Sequence, residues 1–211
     1  MSDPTSYRTI AVPVSAAIEV RRSRFLADLA RASTEDDARA VIDAARRTHH
    51  DARHHCSAFI LGADGRVERS NDDGEPSGTA GAPMLDVLRG SGLSDVVVVV
   101  TRWFGGTLLG TGGLIRAYGD AVSAALERAR PLRRELLLEA SLEVAHADAG
   151  RVEYELRAAD MQVEGVDYGQ VATVQLAVAP PELERLTELV LRLTSGQGRL
   201  VTGPRRWVDR I

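Results

Sequence analysis

The segments Asp72-Asp73-Gly74-Glu75-Pro76-Ser77-Gly78-Thr79-Ala80-Gly81-Ala82-Pro83 and Thr101-Arg102-Trp103-Phe104-Gly105-Gly106-Thr107-Leu108-Leu109-Gly110-Thr111-Gly112-Gly113-Leu114-Ile115-Arg116-Ala117-Tyr118 decide how the chain is read. Between them the run of valines at 96–100, inside 95–101, predicts a central strand buried on both faces. A strand with one solvated face would alternate apolar and polar residues instead. A buried strand, a glycine-rich turn and then a helix is the order in which backbone N–H groups can cradle an anion. Arg102 at the strand end and Arg116 on the first helical turn could add bidentate contacts to phosphate. The competing reading is that Gly105, Gly106, Gly110, Gly112 and Gly113 only permit positive φ and close helix–strand packing. A dinucleotide fingerprint is excluded, because Gly110 and Gly112 would need a third glycine where Ile115 stands.

Outward from this region the pattern is that of an α+β chain. Met84, Leu85 and Leu88 form the stripe of a short helix from 79 to about 89, with Gly90 as its expected C′ residue. Leu114, Ile115, Tyr118, Val122, Ala125 and Leu126 share one face of a second helix over 113–128. Upstream, Arg21-Arg22-Ser23-Arg24 leads into a strand at 25–27. Ser33 or Thr34, with Asp36 and Asp37 three residues later, caps a helix over 34–47. Residues 57–61 and 66–70 read as a hairpin closed by Asp64-Gly65. Pro131 marks a break, after which the order becomes regular: strand 135–144, helix 147–158, strand 161–166, strand 170–177, a helix from Pro180 to Leu193, and strand 199–208. This βαββαβ order is that of a ferredoxin-like domain. Two domains are expected, residues 1–133 and 134–211.

Composition removes several kinds of chemistry. All 26 basic residues are arginine. A Walker A phosphate loop, a Schiff-base enzyme and a lysine general base are therefore excluded. Cys56 is the single cysteine, so no intrachain disulfide and no thiolate-rich metal site can form. The net charge of −4 is not that of a generic nucleic-acid binder. Residues 1–133 balance 17 Arg against 17 acids, while 134–211 carry 9 Arg against 13. Any polyanion contact is thus expected as a local patch in the first part. No apolar run approaches the roughly 20 residues of a membrane helix, and Met1-Ser2-Asp3-Pro4 does not read as a signal peptide. No membrane association and a cytoplasmic location are expected.

Two other clusters invite chemical readings. Asp72, Asp73 and Glu75 could place a divalent cation, although the spacing of a calcium loop is missing and an Asx-capped turn is the weightier reading. His54, His55 and Cys56 follow Asp51 and resemble a thiol–imidazole arrangement. Neighbours on a strand point to opposite faces, however, so His55 cannot activate Cys56 there. A polar role for one histidine at the site edge is favoured over a ligand role to metal. No catalytic set emerges from the residues, and no resident cofactor or metal is expected beyond the divalent-cation alternative.

Ser23-Arg24-Phe25, the run Asp51 to Cys56, and the two quoted segments together resemble the IMPACT family, the group containing the bacterial YigZ-like proteins. The resemblance covers about residues 15–130, and the remainder is similar to the C-terminal domain that bacterial members carry. It implies an N-terminal βα sandwich of the type shared by RNase PH, the GHMP kinases and domain 2 of a small-subunit ribosomal protein. It also implies a ferredoxin-like C-terminal domain similar to domain V of elongation factor G. Trp103 stands where the family usually has tyrosine. Eukaryotic members regulate translation with the help of an additional N-terminal partner-binding domain, and that interaction is not carried over.

The resemblance and the residues together lead to one expectation, a non-catalytic regulator of translation or stress response that binds RNA or the ribosome. Its ligand contacts are expected at Arg24, His54, Asp73, Glu75, Thr79, Arg102, Trp103, Gly105, Gly106, Gly112, Gly113 and Arg116, with Trp103 or Phe104 stacking on a base. The alternative is a nucleotide- or phosphate-binding enzyme in which Asp73 or Glu75 places a divalent ion. A protein partner held on the C-terminal sheet is a third reading.

Overall fold

The computed structural model describes residues 4–210, running β1 (Ser6–Ile10), β2 (Val14–Val20), β3 (Ser23–Arg31), α1 (Glu35–Thr48), β4 (His54–Leu61), β5 (Val67–Asn71), α2 (Gly81–Ser91), β6 (Val96–Trp103), α3 (Thr111–Arg128), β7 (Pro131–Val144), α4 (Ala149–Ala158), β8 (Gln162–Tyr168), β9 (Ala172–Val178), α5 (Leu183–Thr194) and β10 (Arg199–Arg210). It is an α+β chain that divides into two units, one ending at Arg133 and one spanning Arg134–Arg210. No helix among the described residues is long and apolar enough to cross a membrane.

In the first unit β6 is the middle strand of an antiparallel sheet ordered β2-β3-β6-β4-β5. Its five valines have no exposed surface, because strands flank it on both sides and helices cover both faces. Met84 and Leu88 of α2 and Leu114, Tyr118 and Val122 of α3 pack on the face that carries Phe25, Cys56, Val98 and Val100. Ala38, Val41 and Ile42 of α1 pack on the other face, against Phe59, Leu61 and Val97.

Several boundaries move, each for a local reason. α2 continues to Ser91, and Gly92 rather than Gly90 takes the left-handed cap at φ 66°. β4 starts at His54 instead of residue 57, because His54 and His55 pair with Arg102 and Thr101 of β6. Pro131 stands two residues before the division between the units and is the first residue of β7, a position where a missing N–H is tolerated. β1 and β2 lie upstream of the basic lead-in at 21–24, over residues for which no element was expected. β2 is an edge strand with mixed burial, so its pattern carries little apolar alternation. α1 follows its signals closely, with Thr34 accepting from the Asp37 N–H and the Asp37 carboxylate accepting from the Thr34 N–H.

The second unit has the expected βαββαβ order, with the strands arranged β10-β7-β9-β8. Leu142, Val174 and Leu176 of the sheet and Val152, Leu156, Leu186 and Val190 of α4 and α5 form its core. The sheet also carries ion pairs, from Arg206 to Glu139 and Glu164 and from Arg210 to Glu135.

Candidate functional site

The segment between β5 and α2 is held down by its three acids, each through a different contact. The Asp72 carboxylate accepts from the backbone N–H groups of Gly78 at 2.8 Å, Ala80 at 3.0 Å and Gly81 at 2.8 Å. It thereby caps α2, whose own cap residue Ala80 supplies no side-chain bond. Burial works against its charge, but those three donors prevail and hold the carboxyl below its ordinary range. Asp73 accepts from Arg46 at 2.8 Å and from the His55 N–H at 2.6 Å, while His54 Nδ1 donates to the Asp73 carbonyl at 2.9 Å. The Thr79 hydroxyl donates to the Pro76 carbonyl at 2.7 Å.

Glu75 is the acid that turns inward. Its Oε1 accepts from Arg102 Nη1 at 2.6 Å and from the Tyr118 hydroxyl at 2.7 Å. The Cys56 thiol lies 3.3 Å from that hydroxyl and 3.0 Å from the Asp72 carbonyl. Burial pushes the thiol up to about 12, aided by the charges of Glu75, Asp73 and Asp72 and opposed by the Tyr118 bond. Burial likewise pushes the Tyr118 phenol far above its ordinary range. Both groups stay neutral, so the pair Glu75–Arg102 carries the only full charges in this buried array. The Arg102 guanidinium also sits 5.5 Å from the Phe25 ring and 5.7 Å from that of Phe104. Its Nε is buried and has no hydrogen-bond partner among the described residues.

Alternation along β6 sends the next residue the other way. Trp103 pairs across the sheet with Arg24, whose guanidinium lies 5.0 Å over the indole ring. Trp103 Nε1 donates to Asp51 at 2.9 Å, and the His49 ring meets it edge-on at 5.3 Å. His49 caps the end of α1. Arg24 and Trp103 therefore belong to the α1 side, while His54, Asp73, Glu75 and Arg102 are joined by the contacts of the 72–81 segment.

The glycine-rich loop makes a third region. A Cβ on Gly105 would lie 2.0 Å from the backbone carbon of Arg22, so this glycine is required by the close approach of two chains. Its N–H donates to Ser23 Oγ at 3.2 Å. That contact fastens the loop to the β2–β3 hairpin, where Arg21 and Arg22 form a two-residue turn between paired Val20 and Ser23. Both arginines are left-handed, at φ 46° and 69°, a conformation that disfavours residues with a side chain. Arg21 comes to line a hollow of about 250 Å³ with Leu109, Gly112, Gly113 and Arg116. Above the strand end, Phe104 is half exposed, and Leu108 and Ile115 are exposed as well.

The residues singled out in the sequence thus separate into three groups. His54, Asp73, Glu75, Thr79 and Arg102 fasten the 72–81 segment, with Arg102 buried; Arg24 and Trp103 stack on the opposite side; Gly112, Gly113 and Arg116 line the hollow, and Gly105 and Gly106 form the loop between. Among the described residues no group of three His, Cys, Asp or Glu side chains could hold a metal ion. Sequence reasoning missed Tyr118 as the partner of Glu75, and Arg21 as the neighbour of Arg116. Tyr118 carries the one phenol on the apolar face of α3, a signal that a buried polar partner must exist. Arg21 carried no signal, because its place depends on Gly105.

Fold and site together define a two-domain α+β protein whose Gly-rich segments frame a buried Glu–Arg–Tyr array. Residues 21–126 match the Impact N-terminal domain, and residues 142–197 match a domain of unknown function, DUF1949. The chain is 36% identical to the IMPACT family member YvyE of Bacillus subtilis, over 97% of its own length and 94% of that protein. It is also 36% identical to the family member YigZ of Escherichia coli, with 90% and 95% covered. The crystal structure of a hypothetical protein, 34% identical, superposes with a TM-score of 0.66 over 95% of this chain and 98% of that one. The chain belongs to the IMPACT family.

Proposed function

We propose that this protein is a non-catalytic regulator of translation or stress response that binds RNA, free or within the ribosome, through the hollow beside α3 and the loop before it. The observation that supports this best is the start of α3. Gly110 caps the helix without a side-chain bond, no acid stands in its first turn, and two arginines, Arg21 and Arg116, against one acid, Asp120, are on the wall of the hollow next to it. Unpaired N–H groups and the positive end of the helix dipole suit a phosphate, and guanidinium groups can hold it bidentately. Phe104, half exposed, offers a ring to a base, a contact worth about 1–3 kcal/mol. Trp103, Arg24 and the buried array hold the strand ends and the loop in place around this surface. With a net charge of −4, few phosphate contacts and a shallow salt dependence are expected.

Fluorescence anisotropy with a labelled single-stranded RNA at low salt tests the proposal. Binding should weaken by about tenfold or more in the double variant Arg21→Ala/Arg116→Ala. Wild-type protein that leaves the RNA unbound, or a double variant that binds as well as wild type, rejects it.

A further inference from the structure

A larger concavity of about 640 Å³ opens in the first unit at the other end of β6, beside Ser94. Three arginines from three elements line it, Arg8 of β1, Arg89 of α2 and Arg133 of β7. Its two acids already have partners: Asp64 pairs with Arg66 at 2.8 Å, and Glu68 accepts from Arg89 Nε at 3.0 Å. The Arg8 guanidinium differs. Its backbone is fixed, since the Arg8 carbonyl accepts from the Ser94 N–H at 2.8 Å, yet no hydrogen bond or ion pair among the described residues engages its side chain.

The rest of the lining is hydrogen-bonded and partly apolar. Ile60 and Leu93 are 4% and 6% exposed. The Tyr7 hydroxyl donates to Asp95, whose other oxygen accepts from the Gly62 N–H at 2.9 Å. A preformed concavity in the range of about 300–1,000 Å³, with an apolar floor and a few polar groups, is the usual form of a small-molecule site. Arg89 is spent on Glu68 and Asp86 and Arg133 reaches Ser6, so the charge left over in the lining is that of Arg8, which selects an anion.

We propose that this concavity binds a small organic dianion, with Arg8 meeting the charged end and Ile60 and Leu93 carrying the apolar body. The site is separate from the hollow beside α3, and it stands or falls independently of RNA binding. A phosphomonoester and a polycarboxylate share the dianionic head, so isothermal titration calorimetry on the full chain should use AMP in one arm and citrate in the other, at constant ionic strength. At least one should give a saturable heat, and the arm that responds names the source. Arg8→Ala should weaken that binding by about tenfold or more, with an unchanged melting temperature because the side chain is exposed. Should Arg8→Ala fail to fold, Arg8→Gln carries the same expectation. Arg116→Ala should leave the binding intact. The proposal is overturned by absence of heat from both anions at millimolar concentration, by full-strength binding to the folded Arg8 variant, or by loss of binding in Arg116→Ala.

Discussion

Glu75 and Arg102 meet at 2.6 Å with side chains only 4% and 7% exposed, so each neutralises a charge that the interior would not otherwise tolerate. A carboxylate and a guanidinium removed from water cost several kcal/mol each unless they are paired. The pair links the 72–81 segment to the end of β6, and Tyr118 ties both to α3.

Removing one partner should therefore be far worse than removing both. Arg102→Ala is expected to lose about 3–5 kcal/mol in urea unfolding, because Glu75 is left buried and unpaired. A Glu75→Gln/Arg102→Met double variant should lose less than Arg102→Ala alone. Equal stability of Arg102→Ala and wild type would contradict this account.

Asp72 makes stability depend on acid pH. Its carboxyl is depressed in the folded state, against an unfolded value of about 3.9. The contribution is therefore present above the unfolded value and disappears as pH falls through the folded one. Asp72→Ala should cost about 2 kcal/mol near neutrality, the upper end for a lost helix cap. The gap between variant and wild type should narrow once pH falls below the unfolded value and close as pH passes through the depressed folded one. Urea unfolding across this range checks it, and a gap that persists in strong acid would show that the carboxylate charge is not responsible.

Cys56 should be inert in the folded protein. With its thiol pushed up to about 12 and no exposed surface, almost no thiolate exists at neutral pH. Ellman's reagent should label it only after denaturant is added. Rapid labelling of the native chain would mean that the array opens readily.

Two glycines of the same loop region should respond in opposite ways. Gly105→Ala forces a Cβ into the Arg22 backbone and should destabilise by about 1–3 kcal/mol. Gly112, on the first turn of α3, has open space around a Cβ. Gly112→Ala should leave thermal stability unchanged or raise it by up to about 1 kcal/mol. It should also weaken RNA binding in the anisotropy assay, since the added methyl enters the hollow.

Local pattern was enough for much of the architecture. The valine run specified a central strand because a strand flanked on both sides by other strands and on both faces by helices has no position for a polar residue. Thr34 and Asp37 specified where α1 starts, since the cap closes within four residues. The strand and helix order after residue 134 specified the ferredoxin-like unit. These features depend on near neighbours and on burial, and both leave a period in the sequence.

The arrangement of the site was not legible in the same way. Arg102 and Trp103 are adjacent in sequence, but strand alternation sends one to Glu75 and the other to Arg24 and Asp51. Arg21 lines one hollow with Arg116 only because Gly105 lets the hairpin approach the loop. The sequence by itself determined the central valine strand and the order in which the elements run. Tertiary structure alone decided which charges are spent inside and which line a hollow, because strand register and close backbone approach set those partners, and neither is encoded in local spacing.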